Sequence, residues 1–293
     1  MPAGAYWIAR SSRAMTENFL DLMRLTIATW NINSVRLRID SVAKFIKAVR
    51  PDVLCLQETK CPDDAFPAKR FKRLGYEHIA LNGQKGYHGV ATIARVPFDR
   101  IELTNFCDRI DARHLSVTLG EKAGLSAPLR VENFYVPAGG DIPDPDINPK
   151  FAHKLAFLDE MLLRDSIHPK NDQHCVLVGD LNVAPYEHDV WSHKQLLTVV
   201  SHTPIECEKL LGILARGAWV DVARAKCPQS EKVYTWWSYR AADWTESNRG
   251  RRLDHIWASR ALADRVQEFK ILREARGWQR PSDHVPVVCA FEV

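Results

Sequence analysis

Two polar side chains, Asp180 and Asn182, follow directly on a short apolar run at residues 175–178. Side chains two positions apart on extended backbone face the same way, so this carboxylate and this amide can bind one phosphate, water molecule or metal ion together. The sequence Gly-Asp-x-Asn is also common turn chemistry, in which Asp180 begins a turn and Asn182 caps it. The pattern alone leaves both interpretations open.

Further polar residues stand at the ends of other predicted strands. A β-branched run at residues 25–30 leads to Asn31, and a buried run at residues 52–56 leads to Glu58. Tyr135 ends a third run. Each has an ordinary explanation, which is turn formation for Asn31, solvation for Glu58 and edge packing for Tyr135. A shared site is the alternative explanation for all three.

Asp254 lies inside a predicted strand at residues 251–257, and a carboxylate at a buried position needs a partner. His284, which follows Asp283 near the end of the chain, is the candidate partner. A lone histidine is more often structural than catalytic. A carboxylate is nevertheless the usual means of holding an imidazole in one tautomer.

The candidates are mainly hard oxygen donors with one imidazole and no thiolate cluster. That set indicates Mg²⁺, or Mn²⁺, acting on a phosphate. The sequence contains no Walker-type loop, kinase loop or dinucleotide fingerprint, which argues against phosphoryl transfer from ATP and against redox chemistry. The candidate residues are Asn31, Glu58, Tyr135, Asp180, Asn182, Asp254, Asp283 and His284.

Alternating strands and helices would position these residues. Apolar residues at steps of three and four predict a helix over residues 35–49, and similar spacing predicts helices over residues 150–163 and 204–216. An aromatic run at residues 233–239 predicts another strand. The β-α-β order indicates a layered α/β fold with strand ends gathered on one rim.

Composition sets broad bounds. The 293 residues are 46% hydrophobic and 26% charged and contain no long apolar run, which predicts a soluble globular protein without a transmembrane segment. The seven scattered cysteines form no Cys-x-x-Cys pair, so we expect reduced thiols and a cytoplasmic location. Residues 1–24 lack the apolar centre of a secretory signal. We interpret them as a disordered extension from an early start codon, with a transit peptide as the alternative, ahead of a single domain at residues 25–293.

Aromatic and basic residues are concentrated late in the chain, where five of the nine tryptophans fall between residues 236 and 278. Such interleaving suits stacking on bases and contact with phosphates, although some of the rings will fill the core. We predict Trp237 as the wall of a small pocket. Arg249, Arg251 and Arg252 are the predicted phosphate contacts.

Six motifs resemble, in the same order, those of the exonuclease III-type apurinic/apyrimidinic endonucleases, within the endonuclease/exonuclease/phosphatase superfamily. Together they extend over nearly the whole chain from residue 25. They are Thr-Trp-Asn-Ile-Asn (29–33), Leu-Gln-Glu-Thr-Lys (56–60), Asn-Phe-Tyr-Val-Pro (133–137), Gly-Asp-Leu-Asn-Val-Ala (179–184), Arg-Leu-Asp (252–254) and Ser-Asp-His-Val-Pro (282–286).

The resemblance implies a four-layer α/β sandwich of two packed mixed β-sheets flanked by helices, and Mg²⁺-dependent cleavage of DNA 5′ to an abasic site. By motif position, Glu58, Asn31 and Asp283 would serve the metal. Asp180 would activate water and Asn182 would hold the phosphate. In the remaining roles, His284 would bind a phosphate oxygen and be oriented by Asp254, and Tyr135 would contact the phosphate or assist the leaving group.

The chain departs from vertebrate-type members of that family at Ala138 and Asp141, where those members have Asn and Arg. It resembles the bacterial branch, which implies companion 3′→5′ exonuclease and 3′-phosphatase or phosphodiesterase activities. The expected partner is double-stranded DNA with abasic or 3′-blocked sites, bound by a monomer. The alternatives are a phosphodiesterase for RNA or a small phosphoester, and a non-catalytic nucleic-acid-binding module.

Overall fold

The computed structural model describes residues 23–241 and 243–293. Within those ranges the strands, in chain order, are β1 (Arg24–Asn31), β2 (Val53–Gln57), β3 (His78–Asn82), β4 (Val90–Ala94), β5 (Arg100–Leu103), β6 (His114–Leu119), β7 (Leu129–Tyr135), β8 (His174–Asp180), β9 (Val220–Asp221), β10 (Trp236–Trp237), β11 (Gly250–Arg251), β12 (Asp254–Ala258), β13 (Val266–Ile271) and β14 (Val287–Glu292). The helices are α1 (Ile39–Val49), α2 (Ala68–Lys72), α3 (Pro149–Leu163), α4 (His193–Leu196), α5 (Pro204–Arg216), α6 (Val222–Lys226), α7 (Trp244–Ser247) and α8 (Arg260–Ala263).

Twelve of these strands form two mixed sheets of six. The first has the order β13-β14-β1-β2-β4-β3 and the second the order β5-β6-β7-β8-β12-β9, while β10 and β11 form a separate pair. Each large sheet has a parallel pair at its centre, β1 with β2 and β7 with β8, between antiparallel neighbours.

The two sheets pack face to face, and helices cover their outer faces. Leu25 and Val53 of the first sheet share one buried cluster with Val131 and Val178 of the second. On one outer face, the apolar side of α1 packs through Phe45. On the other, α3 and α5 pack against β8 in a third buried cluster. The predicted four-layer α/β sandwich is confirmed.

The sheet registers bring the candidate residues together. Asn31, at the end of β1, stands beside Gln57 of the parallel strand β2. Tyr135 and Asp180 are register partners at the ends of β7 and β8. Asp254 is opposite Asp180 on the antiparallel strand β12. Because the two sheets face each other, these ends form one rim.

The predicted lengths of two strands, at residues 233–239 and 251–257, are wrong. Of residues 233–239 only the two residues of β10 are paired, and the predicted strand at 251–257 is divided into β11 and β12. The backbone N–H of Arg252 donates to Asp189 O, and that of Leu253 donates to the Thr235 hydroxyl. These tertiary hydrogen bonds replace the ladder that a continuous strand would make.

The domain includes two residues that we had assigned to the extension. Met23 and Val293 exchange backbone hydrogen bonds, both of 2.9 Å, and β1 begins at Arg24. The expectation for residues 1–22 lies outside the described part of the chain. Among residues 23–241 and 243–293, no helix has the length and apolar character that crossing a membrane requires.

A chain shortened to begin at Met23 should keep the melting temperature and any catalytic activity of the full chain. The reason is that the first backbone pair of the sheet, between Met23 and Val293, would remain. Thermal denaturation followed by circular dichroism measures the effect. A melting temperature several degrees lower would show that residues 1–22 contribute to folding.

Candidate active site

Asp180 is the centre of the rim and is only 1% exposed. Its Oδ2 accepts hydrogen bonds from the side-chain amides of Asn31, at 2.8 Å, and Asn182, at 3.1 Å. The Asn31 amide also donates to Glu58 Oε1 at 2.9 Å. One amide therefore links a carboxylate of the second sheet to a carboxylate of the first.

His284 lies between two carboxylates. Its Nδ1 is 2.8 Å from Asp254 Oδ2, and its Nε2 is 3.7 Å from Asp180 Oδ2. Burial alone would lower the pKa of His284, but the charges of Asp254 and then Asp180 raise it well above its usual value. The imidazole is therefore a buried cation at neutral pH. The Thr235 hydroxyl also donates to Asp254 Oδ2, at 2.6 Å, and fixes the carboxylate that orients the ring.

For Asp180 the effects of burial and of the neighbouring opposite charge on the pKa have the reverse signs, although the net shift is again upward. Burial raises the pKa of its carboxyl group, while the charge of His284 lowers it and that of Asp254 raises it further. The net direction is upward, so Asp180 holds a proton more readily than an ordinary aspartate does. A carboxylate of raised pKa beside a fixed cation is suited to accept a proton from water.

Glu58 stands at the metal end of the predicted site. Its Oε1 accepts from the Tyr135 hydroxyl at 2.9 Å, and its Oε2 is 2.7 Å from Lys60 Nζ. Burial would raise the pKa of Glu58, but Lys60 and the Asn31 amide lower it, so the group is ionised. Burial, followed by the charges of Glu58 and Asp180, raises the pKa of Tyr135 well above 10. Tyr135 thus remains a hydrogen-bond donor.

For Asn182 the turn interpretation and the site interpretation of the Gly-Asp-x-Asn motif are compatible. Its backbone N–H donates to Asp180 Oδ1 at 3.0 Å, which is the expected turn contact, and its φ of +53° is a left-handed conformation. Its side-chain amide also donates to Val136 O at 2.9 Å. The turn holds Asn182 in the site beside Asp180.

Asp283 is further from the centre. Its Oδ2 accepts from Trp236 Nε1 at 3.0 Å, and its Oδ1 accepts from the Asn33 amide at 3.1 Å. Asn33 in turn accepts from Lys60 Nζ at 2.6 Å. The described contacts thus connect Asp283 to Glu58 through Asn33 and Lys60. Direct metal binding by Asp283 remains a prediction.

Sequence reasoning missed Asn33, Lys60 and Thr235 as parts of this network. A signal was present for two of them, because Asn33 and Lys60 each lie within two positions of a predicted site residue. Extended-strand alternation would not have placed them, since both have left-handed backbone, with φ of +47° and +51°. Thr235 gave no such signal, since its hydroxyl reaches Asp254 from a loop 19 residues away in the sequence.

The donors fit a hard divalent cation. Glu58 and Asp180 present carboxylate oxygens on either side of the Asn31 amide, which is the oxygen-rich chemistry that Mg²⁺ and Mn²⁺ prefer. Asp180, Asp254 and His284 also offer ligand atoms within 4.8 Å of one another. A protonated His284, however, donates hydrogen bonds and has no lone pair for a metal. The arrangement therefore favours Glu58 as a metal ligand and His284 as an anion-binding group. Asn31 stays a predicted ligand, since its side-chain nitrogen donates to Glu58 and Asp180 and its Oδ1 accepts from the Asn33 N–H at 3.0 Å.

The prediction for Trp237 is wrong. The indole is 2% exposed, packs edge-on against Tyr234 and Trp244, and donates from Nε1 to Asn248 Oδ1 at 3.1 Å. It is a core ring. The half-buried Trp236, which contacts Asp283, is the tryptophan that borders the site.

Arg252 is also misassigned as a DNA contact. Its side chain is fully buried and donates two hydrogen bonds to the Asp189 carboxylate, of 2.8 and 2.7 Å, and one of 3.0 Å to Asp221. A guanidinium with these partners cannot reach a phosphate. Charge composition could not distinguish it from its neighbours, because the carboxylates lie 63 and 31 residues away along the chain.

Replacing Arg252 with Met should lower the free energy of unfolding by about 3–5 kcal/mol, because buried Asp189 and Asp221 would lose a paired cation. The folded fraction should bind DNA with an unchanged dependence of affinity on salt. Arg249→Ala is the matched comparison, since Arg249 is exposed and stacks over Trp191 at 4.6 Å. An altered salt dependence in Arg252→Met would restore it as a phosphate contact.

Arg249 and Arg251 remain predicted DNA contacts. The guanidinium of Arg251 lies over the Trp236 ring at 5.2 Å and donates to Val200 O and to Ser201 Oγ, at 3.0 and 2.7 Å. These contacts hold the charge of Arg251 beside the ring that borders the site.

A second basic surface, which the sequence did not indicate, adjoins Tyr135. It is a groove of about 620 Å³ between the loops that contain Tyr87, Arg109 and Ala138. Three cations and one carboxylate line it, namely Arg109, Arg113, Lys150 and Asp111. Arg109 and Lys150 are exposed, so their charges are free to meet an anion.

Comparisons with known proteins find a matching family model and similar folds. Residues 28–284 match the model of the "Endonuclease/Exonuclease/phosphatase family". The chain is 31% identical to exodeoxyribonuclease III of Haemophilus influenzae over 272 residues, which cover 90% of this chain and 98% of the relative.

Two solved structures share its fold. An AP endonuclease from Archaeoglobus fulgidus aligns with a TM-score of 0.82 and 32% identity, over 92% of this chain and all of the other. A Neisseria 3′ phosphatase bound to a product DNA hairpin aligns with a TM-score of 0.81 and 30% identity, with the same coverage.

Proposed function

Because this chain belongs to the endonuclease/exonuclease/phosphatase family and is a hydrolase of the exonuclease III and AP endonuclease type, we propose that it is a Mg²⁺-dependent DNA repair enzyme that cleaves the phosphodiester 5′ to an abasic site. The observation that carries the proposal is the buried unit of Asp180, His284 and Asp254, which places a proton acceptor beside a fixed cation.

In the proposed reaction Asp180 accepts a proton from the attacking water. Its raised pKa matches that task better than the pKa of an exposed aspartate would. Asn182, whose side-chain amide donates to Val136 O and to Asp180 Oδ2, would hold the scissile phosphate by exchanging one of these contacts for a phosphate oxygen. Water then displaces the 3′-oxygen from phosphorus, and the products carry a 3′-hydroxyl and a 5′-phosphate.

His284 stabilises the negative charge that develops on the phosphate. A cation buried and oriented before the substrate arrives costs no reorganisation when the reaction occurs. Asp254 holds the ring through Nδ1, which leaves Nε2 as the donor. The Tyr135 hydroxyl, which stays protonated, is placed to donate to the phosphate or to the leaving oxygen.

Glu58 and Asn31 would hold the metal ion, with Asp283 nearby. When bound, Mg²⁺ or Mn²⁺ would supply positive charge to a phosphate oxygen. The Lys60 ammonium already lies against Glu58 Oε2. This ion pair supports the proposal that the Glu58 carboxylate meets a cation.

Two basic surfaces support DNA as the substrate. Arg249 and Arg251 lie on the tryptophan side of the catalytic residues, and the groove with Arg109 and Lys150 adjoins Tyr135. Cations on both sides suit a phosphate backbone that crosses the site. We propose recognition by damage rather than by sequence, since an abasic nucleotide has already lost the stacking and pairing that oppose its extrusion.

We also propose 3′→5′ exonuclease and 3′-phosphatase activities, because a relative with 30% identity is a 3′ phosphatase solved with a DNA product. Action by a monomer in the cytoplasm belongs to the same proposal. A phosphodiesterase for RNA or small phosphoesters would use the same catalytic residues. The two basic surfaces favour the long polyanion over a small ester.

A substrate comparison tests the proposal. We expect the wild type to cleave duplex DNA with one abasic-site analogue at that site, to lose the activity in EDTA and to regain it with Mg²⁺. It should also remove a 3′-phosphate from a recessed end. Faster hydrolysis of single-stranded RNA or of a small phosphoester than of abasic DNA would contradict the proposed substrate.

A further inference from the structure

Lys154 is a fully buried lysine on α3, and the reaction described above gives it no role. Its side chain and that of Glu206 are both 0% exposed, and the two form an ion pair. Taking two charges out of water is costly, and an apolar pair of similar volume often serves a fold equally well. Stability alone is therefore a weak explanation for this pair.

The ammonium of Lys154 joins two segments of the active site. Besides its pair with Glu206, Nζ donates to Asn182 O at 2.7 Å and to Ala138 O at 3.4 Å. These three partners use the three protons of the ammonium. Ala138 follows the strand end at Tyr135, and Asn182 follows the strand end at Asp180. A single cation thus ties both segments to α3.

Asn182 is anchored through several of its polar groups. Its φ of +53° lies in the left-handed region, which asparagine adopts more readily than most residues other than glycine. Its backbone N–H is held by Asp180, and its side-chain amide contacts Asp180 and Val136. The backbone carbonyl accepts from Lys154 Nζ at 2.7 Å. This contact fixes the peptide plane that follows Asn182, from which the side chain leaves the turn.

The surroundings leave Lys154 little freedom. Gly139 has a φ of +89°, and a Cβ at that position would lie 2.9 Å from Lys154 Cδ, so the loop passes closely over the lysine. Glu206 is fixed by backbone N–H groups of Ser201 and Thr203 at the start of α5. The ammonium is thus held from α5 and from the loop alike.

We propose that Lys154 is a positioning residue that orients Asn182, the group that would hold the scissile phosphate. The expected effect on kcat rests on the proposed function, whereas the expected effect on the position of Asn182 does not. Lys154 itself does not touch the substrate. It acts by fixing the carbonyl of Asn182, and with it the angle at which the side-chain amide leaves the turn.

The test compares Lys154→Met with Lys209→Met. Lys209 on α5 pairs with Asp159 on α3, so it joins the same two helices through a partly exposed ion pair. Among the described residues its side chain makes no hydrogen bond to the loop of Ala138 or to that of Asn182. We expect Lys154→Met to lower kcat for abasic DNA by about 10²-fold, since small misplacements of reacting groups cost that much, and to leave KM nearly unchanged. Lys209→Met should keep both constants.

A second measurement is independent of activity. With selective ¹⁵N labelling of asparagine, Lys154→Met should shift the side-chain amide resonances of Asn182, whereas Lys209→Met should not. A wild type inactive on DNA, together with this selective shift, would overturn the proposed function and support the positioning role. Unmoved Asn182 resonances would overturn the positioning role whether or not the wild type cleaves DNA.

Lys154→Met leaves Glu206 without its cation, so a variant compensated for charge is needed. Lys154→Met combined with Glu206→Gln removes both charges and keeps an acceptor at the start of α5. We expect this double variant to fold and to show the same loss of kcat. A folded double variant with wild-type kcat, or the failure of both variants to fold, would mean that Lys154 serves the fold alone.

Discussion

Asp180→Asn should abolish cleavage almost completely while the protein remains folded and binds DNA. Asparagine is similar in size but cannot accept the proton of the attacking water, and general-base catalysis contributes on the order of 10²–10⁴-fold. Burial raises the pKa of Asp180, so its ionised form is unfavourable in the fold, and a neutral side chain removes that cost. The melting temperature should therefore stay close to that of the wild type.

The measurement is single-turnover cleavage of duplex DNA with one abasic-site analogue, beside binding of the same duplex in EDTA. Asp111→Asn is the matched control, because Asp111 lines the groove beside Tyr135 and pairs with Arg113. That control should keep cleavage within a few-fold of wild type. Cleavage by Asp180→Asn within tenfold of wild type would exclude the general-base role.

His284→Asn should lower both kcat and stability. Loss of one preorganised group that stabilises charge typically costs about 10²–10³-fold in rate. The same change leaves Asp254 and Asp180 facing each other without the cation between them. Two buried carboxylates without a cation destabilise the fold until one takes up a proton.

The stability effect has a defined pH dependence. The pKa of His284 is raised in the folded protein, so its contribution is fully present below the unfolded value of about 6.5 and is lost as the pH rises through the folded value. Because Asp180 and Asp254 also titrate in His284→Asn, the wild type alone gives the clearer measurement, and its free energy of unfolding should fall as the pH rises from about 6.5 toward the folded pKa of His284. A wild-type stability that rises over this pH range would mean that His284 is neutral in the fold.

The sequence was sufficient for residues whose positions follow from strand geometry. Asn31, Glu58, Tyr135 and Asp180 each stand at the end of a strand or directly beyond it, and parallel neighbours gather such ends at one edge. The pairing of Asp254 with His284 was also predictable, because a carboxylate inside a strand requires a partner.

The tryptophans show where that reasoning stops. Trp236 and Trp237 are neighbours on a two-residue strand, so they face opposite ways, and the sequence carries no periodicity to show which one faces the site. The structure turns Trp236 toward Asp283 and Trp237 into the core. The composition identified the aromatic region, but it could not show which tryptophan faces the site and which faces the core.

The burial of charged side chains with distant partners could not be predicted from the sequence either. Arg252 and Lys154 are in sequence terms ordinary basic residues, yet both are fully buried. Their partners, Asp189 and Glu206, lie 63 and 52 positions away. Only the tertiary structure brings these charges together, and it removes one of them from the predicted DNA surface.

The most direct test of the central claim follows the oxygen of the attacking water. If Asp180 activates water to attack phosphorus, cleavage of abasic-site DNA in H₂¹⁸O should place one ¹⁸O in the 5′-phosphate of the product and leave a 3′-hydroxyl on the other fragment. Mass spectrometry of a single turnover reads both ends. A 5′-phosphate without solvent oxygen, or a break on the 3′ side of the abasic sugar, would contradict hydrolysis at this site.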